Sequence, residues 1–595
     1  MMRLSKLPFR CITSGYYEER LQSCVWSAAW LRQAEEEAAR EHKITLYDLM
    51  QRAGKAAFGV FRREYPSSRH WLILCGSGNN GGDGFEVARL AADDKLRVTV
   101  LAVKGTKPLP PEASAAHAAL LKRGDVKIHD AGQWKEADLA EDVDLVVDGL
   151  LGTGITGAPR ADYARLIELA NALPVPCVSI DIPSGLNAET GAVEGVCVRA
   201  EHTVTFIALK PGLITGQARN YTGTLHYDCL QLGEWMLDPK RQSQLFCRRI
   251  VSSHLKTIFA QTPSPCAHKG SNGRLLLVGG DHKFGGAIIM AAEAALNTGV
   301  GLVRVVTRSA HIGPILSRCP EVMAYDTEEC SLPDLIQWST CVAVGPGIGQ
   351  AVWAERVVLQ IAHTREYFTE KPFLLDADAL NLFSKMVSSG NLKEFGLLER
   401  KNKKTVITPH PGEAARLLQC TIEEVEKDRF QAAKKLADLY GFTVLLKGPG
   451  TVICAAEDID ISVDALNTAH GILSSRCVVS DAGNNGMATG GFGDVLTGVI
   501  SGFLAQEFSV WQATCGGCLA HSTAADLAAA AQGGVRGLRA TSLFEHILTC
   551  VNPLTERQCV SLKTGRNIDD CDGRGEPEDS EKKSKVEKSE KEGRA

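Results

Sequence analysis

At 595 residues with a formal charge of −5, the chain is too long for one hydrophobic core and offers no broad basic field for nucleic acid. Its 44% hydrophobic and 23% charged residues are those of a soluble globular protein, and no apolar run approaches the ~18 residues that span a bilayer. Nineteen cysteines, scattered through strand-like and helix-like segments, do not form the spaced framework of a small secreted module, which points to a reducing compartment.

Residues 1–24 read as an N-terminal extension. Its opening, MMRLSKLPFRCITSGYY, is basic and free of acids until Glu18, so a mitochondrial targeting segment and an ordinary N-terminus both stay open. The expected location is cytoplasmic or mitochondrial. A helix through LRQAEEEAAREH precedes WLILCG, VTVLAV, DLVVDG, VPCVSIDIP and HTVTFIAL, short apolar runs that end at turn residues, as buried parallel strands do. A second such series, RLLLVGG, LVRVVT, CVAVGPG, PFLLDAD, TVITP and TVLLKG, begins near Gly273. Prolines 263 and 265 lie between the two, which predicts two α/β domains, 25–235 and 267–555, joined by a linker over 236–266. From residue 556 the chain turns polar and charged, ending DDCDGRGEPEDSEKKSKVEKSEKEGRA, and is expected to form a disordered, solvated tail.

In the first series, WLILCG runs into GSGNNGGDGFEVARLA, a glycine-rich turn between strand and helix. Such a turn presents backbone N–H groups and the positive end of a helix dipole to an anion, although by itself it serves equally well as a plain turn. Two further strands end in polar constellations: VVDGLLGTGITGAP around Asp148, and SIDIPSGLNAETG around Asp181 and Ser184. Each aspartate could simply cap the turn after its strand. In open α/β sheets, however, ligands sit beyond the carboxyl ends of the strands, where the three segments would converge.

These segments, with FIALKPGL at residues 206–213, resemble the NAD(P)H-hydrate epimerase family over about residues 25–235. The resemblance implies a Rossmann-like three-layer domain that binds a hydrated dinucleotide. Asn79, Asn80, Gly81, Gly82 and Asp83 would hold the substrate, with Gly152, Thr153, Gly154, Ile155, Thr156, Gly157, Ala158 and Asp181. Asn80, Asp148 and Ser184 would surround a potassium ion. Asp148 would also be the acid/base at the reacting carbon, helped by Lys104 in VLAVKG.

In the second series, GNNGMATGGFGDVLTGVISGFL places a glycine loop before an apolar helix, with Asp494 near its first turn. Asp494 is a helix cap or, if the amides of Gly490–Gly493 hold phosphates, a base for a hydroxyl being phosphorylated. The arrangement is similar to ribokinase-like enzymes. More narrowly, HKGSNGRLLLVGGDHKFGGA, AVGPGIG, DADALN, TPHPGE, LKGPGTVI and GMATGGFGD follow the order found in the ADP- or ATP-dependent NAD(P)H-hydrate dehydratases, over about residues 267–525. By this resemblance Ala287, Gly347, His410 and Asp494 would contact the hydrated substrate. Lys447, Gly448, Pro449, Gly450, Thr451 and Gly493 would contact the nucleotide, which Mg²⁺ accompanies. Phe492, where threonine is common in the family, Asn485, where proline is frequent, and an enlarged segment over about 454–482 depart from the pattern.

The whole chain thus resembles the bifunctional NAD(P)H-hydrate repair family. The implied function is interconversion of R and S hydrates of NADH and NADPH, followed by ADP- or ATP-dependent dehydration of the S form through a phosphorylated intermediate. A homo-oligomer is expected, with no nucleic-acid or membrane partner. The alternatives are a ribokinase-like kinase for a small alcohol, and an N-terminal module that binds a protein or RNA through an inactive pocket. Cys515, Cys518 and His521 in CGGCLAH share one helix face, but without a nearby fourth ligand they read as packing rather than a zinc site.

Overall fold

The computed structural model describes residues 9–11, 18–134, 142–260, 263–365, 370–389, 403–457, 459, 461 and 473–552. The tail expected from residue 556, most of the N-terminal extension and much of the enlarged segment over 454–482 lie outside the described residues. Among the described residues no helix is long and apolar enough to cross a membrane.

The strands, in chain order, are β1 (Phe9–Cys11), β2 (Cys24–Val25), β3 (His70–Cys75), β4 (Arg97–Ala102), β5 (Lys127–Asp130), β6 (Leu145–Gly149), β7 (Cys177–Ile180), β8 (His202–Phe206), β9 (Thr224–Asp228) and β10 (Cys247–Ile250). They continue with β11 (Arg274–Val278), β12 (Leu302–Thr307), β13 (Met323–Asp326), β14 (Cys341–Val344), β15 (Phe373–Leu375), β16 (Thr405–Ile407), β17 (Thr443–Leu446), β18 (Thr451–Ala455) and β19 (Cys477–Ser480).

The first sheet has eight strands in the order β1-β9-β8-β7-β6-β3-β4-β5, all parallel. Buried parallel strands need apolar residues on both faces. In β3, Trp71, Ile73 and Cys75 join one core cluster, whereas Leu72 and Leu74 join another on the opposite face. The helix Leu46–Glu64 starts at a capping box in which Thr45 and Asp48 satisfy each other's backbone N–H groups. It buries Leu49, Met50, Ala53, Ala57, Val60 and Phe61 at helical spacing. Where it crosses helix Asn79–Asp93, a Cβ on Gly54 would lie 2.6 Å from Cβ of Glu86, so only glycine allows that approach.

The second sheet has eleven strands in the order β13-β12-β11-β14-β15-β16-β17-β18-β19-β10-β2. β18 runs antiparallel to β17 and β19, and β2 antiparallel to β10. Its faces alternate in the same manner: Leu275 and Leu277 enter one cluster, Leu276 and Val278 the other.

Residues 236–266, expected to be a linker, carry β10, which pairs parallel with β19 and so extends the second sheet. β2, from the very start of the chain, pairs with the other edge of β10. The hydrophobic cluster beneath β17, β18 and β19 also contains Ile182, Leu186, Leu209, Leu213, Ile214 and Ala218 from the first half of the chain. Apolar surface is therefore shared between the two α/β halves.

A buried ion pair fastens β10 to β19. Arg249 on β10 meets Asp481, just after β19, through two bonds of 2.8 and 2.9 Å. Burial alone would raise the Asp481 carboxyl, but Arg249, aided by Arg219, holds it below its ordinary value. Replacing Arg249 by leucine leaves that buried charge without its hydrogen-bonded partner, and the expected loss is about 3–5 kcal/mol in denaturant-induced unfolding. A loss below about 1 kcal/mol would place the pair among surface-type bridges instead.

Candidate functional sites

In the first sheet the chain leaves β3 for β4 on one side and returns to β6 on the other, so β3 and β6 flank the switch point where ligands of open α/β sheets bind. The loops that follow them touch backbone to backbone. A Cβ on Gly76 would lie 1.7 Å from the Leu150 carbonyl oxygen, and one on Gly81 would lie 1.9 Å from that of Gly76. Asn80, in the first turn of helix Asn79–Asp93, donates from Nδ2 to the Leu151 carbonyl at 3.0 Å, while its buried Oδ1 has no partner. Asp148, at the end of β6, has no exposed surface. Its carboxylate accepts from the Ser184 hydroxyl at 2.6 Å, the Ser179 hydroxyl at 2.8 Å, and the Ser184 and Leu150 N–H groups at 2.9 and 3.2 Å.

Asp148, expected as the acid/base, is thus enclosed by donors from three neighbouring residues. The Leu151 N–H in turn donates to Ser184 Oγ at 2.8 Å. Burial raises the Asp148 carboxyl nonetheless, against the effect of the hydrogen bonds it accepts. Lys104 is not brought to the site's polar core: its side chain is 86% exposed and lies 3.7 Å from Asp130.

The groups that do face one another are Asp181, Lys210, Asp83 and Glu35. Asp181 stands in the left-handed region (φ 63°) just after β7. The buried Lys210 ammonium donates to its Oδ1, and also to Thr205 Oγ1 at 2.9 Å and the Phe206 carbonyl at 3.0 Å. Burial lifts Glu35, on helix Ala28–His42, to about 7, with Asp181 adding to the rise and Lys210 opposing it. Burial also lifts Asp83 well above its ordinary range, and Asp181 and Glu35 contribute. The loop from Gly152 to Ala158 is half-buried to exposed at the cleft mouth, and Asn79 Nδ2 donates to Glu112 at 2.7 Å.

In the second sheet β11 and β14 flank the corresponding switch point. A Cβ on Gly279 would meet the Pro346 carbonyl oxygen at 2.1 Å, and one on Gly347 (φ 63°) would lie 3.0 Å from the Ala287 Cβ. Successive parallel strands then deliver Asp376 after β15, His410 after β16 and Lys447 after β17. The Lys447 ammonium donates to Asp376 Oδ1 at 2.7 Å, and Asp376 Oδ2 accepts from the Thr497 hydroxyl at 2.7 Å. Glu413 lies 3.9 Å from the same ammonium. Burial opposes the charge on Lys447, yet Asp376 and Glu413 raise its pKa overall.

Asp494 occupies the first turn of helix Phe492–Ala505, whose N-cap, Gly491 (φ 98°), supplies no capping side chain. The first N–H groups of that helix are thus not met by a side-chain cap, which suits an anion. A Cβ on Gly493 would lie 3.5 Å from Lys447 Nζ and 3.8 Å from Asp376 Oδ2, so the helix start, the ammonium and the carboxylates converge. Burial, with Asp376 beside it, raises Asp494 to about 7 despite Lys447. His410 is the N-cap of helix Pro411–Leu418: its Nδ1 accepts from Gly412 N–H at 3.0 Å, and its own N–H donates to Glu413 at 2.8 Å. Burial, Lys447 and Arg416 together depress its pKa.

The family model described as NAD(P)H-hydrate dehydratase matches residues 275–549, and that of the YjeF-related protein N-terminus matches residues 46–212. The bifunctional NAD(P)H-hydrate repair enzyme of Leishmania braziliensis is 48% identical over 566 residues, 92% of this chain and 97% of its own length. That of Escherichia coli K12 is 47% identical over 530 residues, 89% of this chain and 94% of its own. This chain belongs to the bifunctional NAD(P)H-hydrate repair enzymes. A solved structure described as ADP/ATP-dependent NAD(P)H-hydrate dehydratase from Bacillus subtilis, co-crystallised with ATP/Mg²⁺, is 25% identical with a TM-score of 0.39, covering 51% of this chain and 96% of that one.

Within this family frame, the residues absent from the sequence-based site are Lys210 and Glu35 in the first half and Asp376 and Glu413 in the second. Lys210, Asp376 and Glu413 stand inside the quoted motifs FIALKPGL, DADALN and TPHPGE, so the signal was present. Glu35 stands in a charged helix where nothing distinguishes it from Glu36 and Glu37. Phe492 does not distort the loop with its ring, which is 4% exposed and packs edge-on against His521 at 6.2 Å. Burial depresses His521 to about 4, and among the described residues no group of three or more His, Cys, Asp or Glu is arranged to hold a metal.

The raised pKa of Asp494 has a stability consequence. The folded state binds this proton more tightly than the unfolded chain, so its contribution is most favourable below the unfolded value near 4 and is lost as pH rises through about 7. Asp494→Asn is expected to stabilise the protein at pH above 7 by roughly 1–3 kcal/mol, allowing for partial exposure, with little effect in mild acid. Thermal melts at the two pH values check this, and equal shifts at both would contradict it.

Proposed function

We propose that the second site transfers a phosphoryl group from ADP or ATP to the hydroxyl of the S hydrate of NADH or NADPH, after which phosphate leaves and the reduced nicotinamide is restored. The observation that carries this is the convergence of Asp494, Lys447 and the Gly493 backbone at an uncapped helix start. Hydroxide is a poor leaving group at neutral pH, whereas phosphate is a good one that the ring-nitrogen lone pair can expel, after which the neighbouring ring carbon loses a proton to restore the double bond. Asp494, with a pKa near neutrality, takes the hydroxyl proton as the oxygen attacks phosphorus. The N–H groups of the Gly490–Gly493 turn and the Lys447 ammonium stabilise charge on the transferred group. Ala287, Gly347 and neutral His410 line the substrate side, and Lys447–Thr451 the nucleotide side. Mg²⁺ would accompany the phosphates and offset their charge; of the nearby carboxylates, Asp376 is engaged by Lys447 and Thr497, and Glu413 lies 3.9 Å from Lys447.

The first site interconverts the R and S hydrates, so that both products of uncatalysed hydration reach the second. Potassium fits the oxygen set there: Asn80 Oδ1 is a buried acceptor without a partner, the Asn80 amide and the Ser184 hydroxyl both reach the Leu151 carbonyl, and Ser184 is bonded to the Asp148 carboxylate. Asn80, Asp148 and Ser184 would hold the ion, which would supply a positive charge between the loops that receive the dinucleotide. Asn79–Asp83 and the Gly152–Ala158 loop hold the substrate, and the Asp181–Lys210 pair moves the proton.

The test is recovery of reduced-nicotinamide absorbance from a mixed R and S hydrate pool with Mg²⁺ and either ADP or ATP. Wild type is expected to recover nearly the whole signal. Asp494→Ala should lower the nucleotide-dependent rate by about 10²–10⁴-fold. Asp148→Asn should leave the S fraction converting at the wild-type rate and the R fraction slow, with added K⁺ unable to restore it. A phosphorylated product that accumulates without elimination would show the second site to be a small-alcohol kinase instead.

A further inference from the structure

Ten residues after the buried lysine of the first site, the same stretch of chain has passed under both glycine loops of the second. Residues 210–220 read KPGLITGQARN. The segment is held in place by its own half of the protein: Gly212 N–H donates to the Ala188 carbonyl at 2.7 Å, and Gln217 N–H to the Gly191 carbonyl at 3.0 Å. A Cβ on Gly212 would lie 2.0 Å from the Asn187 carbonyl oxygen, so the backbone has no slack there. Leu213 and Ile214 are buried in the cluster that also contains Val479, Phe492 and Val495.

From this support, two side chains reach the second half. Thr215, 1% exposed, donates its hydroxyl hydrogen to the Gly450 carbonyl at 2.9 Å, with the Pro449 carbonyl at 3.4 Å. Gly450 itself is in the left-handed region (φ 64°), and a Cβ there would stand 2.0 Å from the Ile214 carbonyl oxygen and 2.6 Å from the Thr215 Cα. Arg219 donates to the Gly483 carbonyl at 2.8 Å. Gly450 lies in the KGPGT loop and Gly483 opens GNNGMATGGFGD, whose Gly483 N–H is in turn held by Asp526 at 2.8 Å.

We infer that Thr215 and Arg219, from the epimerase half, are positioning residues for the phosphate donor of the dehydratase half. This rests on the assignment of residues 447–451 and 490–493 to the nucleotide. A peptide unit is planar, so fixing the Gly450 carbonyl fixes the direction of the following N–H, that of Thr451. Loops rich in glycine have many conformations to lose, and a contact that removes those conformations before the ligand arrives strengthens binding without touching it. Thr215 supplies that contact from a buried position, where a lost hydrogen bond leaves the Gly450 carbonyl unsatisfied. Arg219 does the same from an exposed one, and its effect is smaller.

The experiment uses the full chain and purified S hydrate, so that the first site's chemistry is not needed, and reads KM for ADP and ATP separately from kcat. Thr215→Val keeps the shape and removes the donor. It is expected to raise the nucleotide KM about 10-fold with kcat within about twofold, and Thr215→Ser should restore the wild-type value. Arg219→Ala should raise KM about two- to threefold. Protection against thermal unfolding by added nucleotide should weaken in the same order. If the valine variant does not fold, Thr215→Ala is judged by the same criteria.

Lys447→Ala is measured alongside. A raised nucleotide KM for Lys447→Ala with an unchanged one for the Thr215 variants overturns the positioning role and leaves Thr215 as interface packing. An unchanged KM for both overturns the nucleotide assignment of the loop, and the positioning role with it. A KM that Thr215→Ser fails to restore also overturns the hydrogen-bond argument.

Discussion

Both sites depend on the same steric constraint: the loops after neighbouring parallel strands meet main chain against main chain, leaving no volume for a side chain between them. Gly76 against Leu150 and Gly279 against Pro346 are equivalent contacts in the two sheets, each at a switch point in strand order. Once the loops touch in this way, their N–H groups and the following helix start point into a single crevice. Polar residues at neighbouring strand ends then have only one place to go.

What fills the two crevices differs in its electrostatics. In the first, Asp148 is enclosed and saturated by hydroxyl and amide donors, while Asp181 and Lys210 neutralise one another at the cleft. Beside that pair, burial raises the carboxyls of Glu35 and Asp83, and Asn80 Oδ1 is a buried acceptor without a hydrogen-bond partner. In the second, Asp376, Glu413 and Asp494 crowd a single ammonium, that of Lys447. Three carboxyls around one lysine cannot all be ionised cheaply when buried, and Glu413 and Asp494 are both raised to about 7. That crowding destabilises the fold at high pH and leaves Asp494 able to accept a proton near neutrality.

The two halves are not beads on a string. β10, inside the stretch whose prolines suggested a linker, is a sheet strand held by β19 and β2. Its four residues, CRRI, carry two arginines, and neither alternation nor an apolar run marks them as a strand. They become one because Arg249 has a carboxylate opposite it and Arg248 is nearly enclosed, facts that belong to partners more than two hundred residues away in one case. The shared core follows from the same arrangement, since Ile214 and Phe492 can enter one cluster only after the sheets are placed.

The sequence by itself determined the two α/β series, the glycine loops at the strand ends and the family, because each is written locally: apolar runs of strand length, turn residues after them, and motifs in fixed order. Most of the residues that line the two crevices, from Asn80 to Asp494, stand in those same motifs. Only the tertiary structure decided which of those residues face open space. Asp148 is enclosed and Lys104 exposed because burial is a property of the neighbours, and Glu35, Lys210 and Asp376 gained meaning because the groups around them come from other parts of the chain. Thr215, an unremarked hydroxyl in sequence, matters through one carbonyl 235 positions further along the chain.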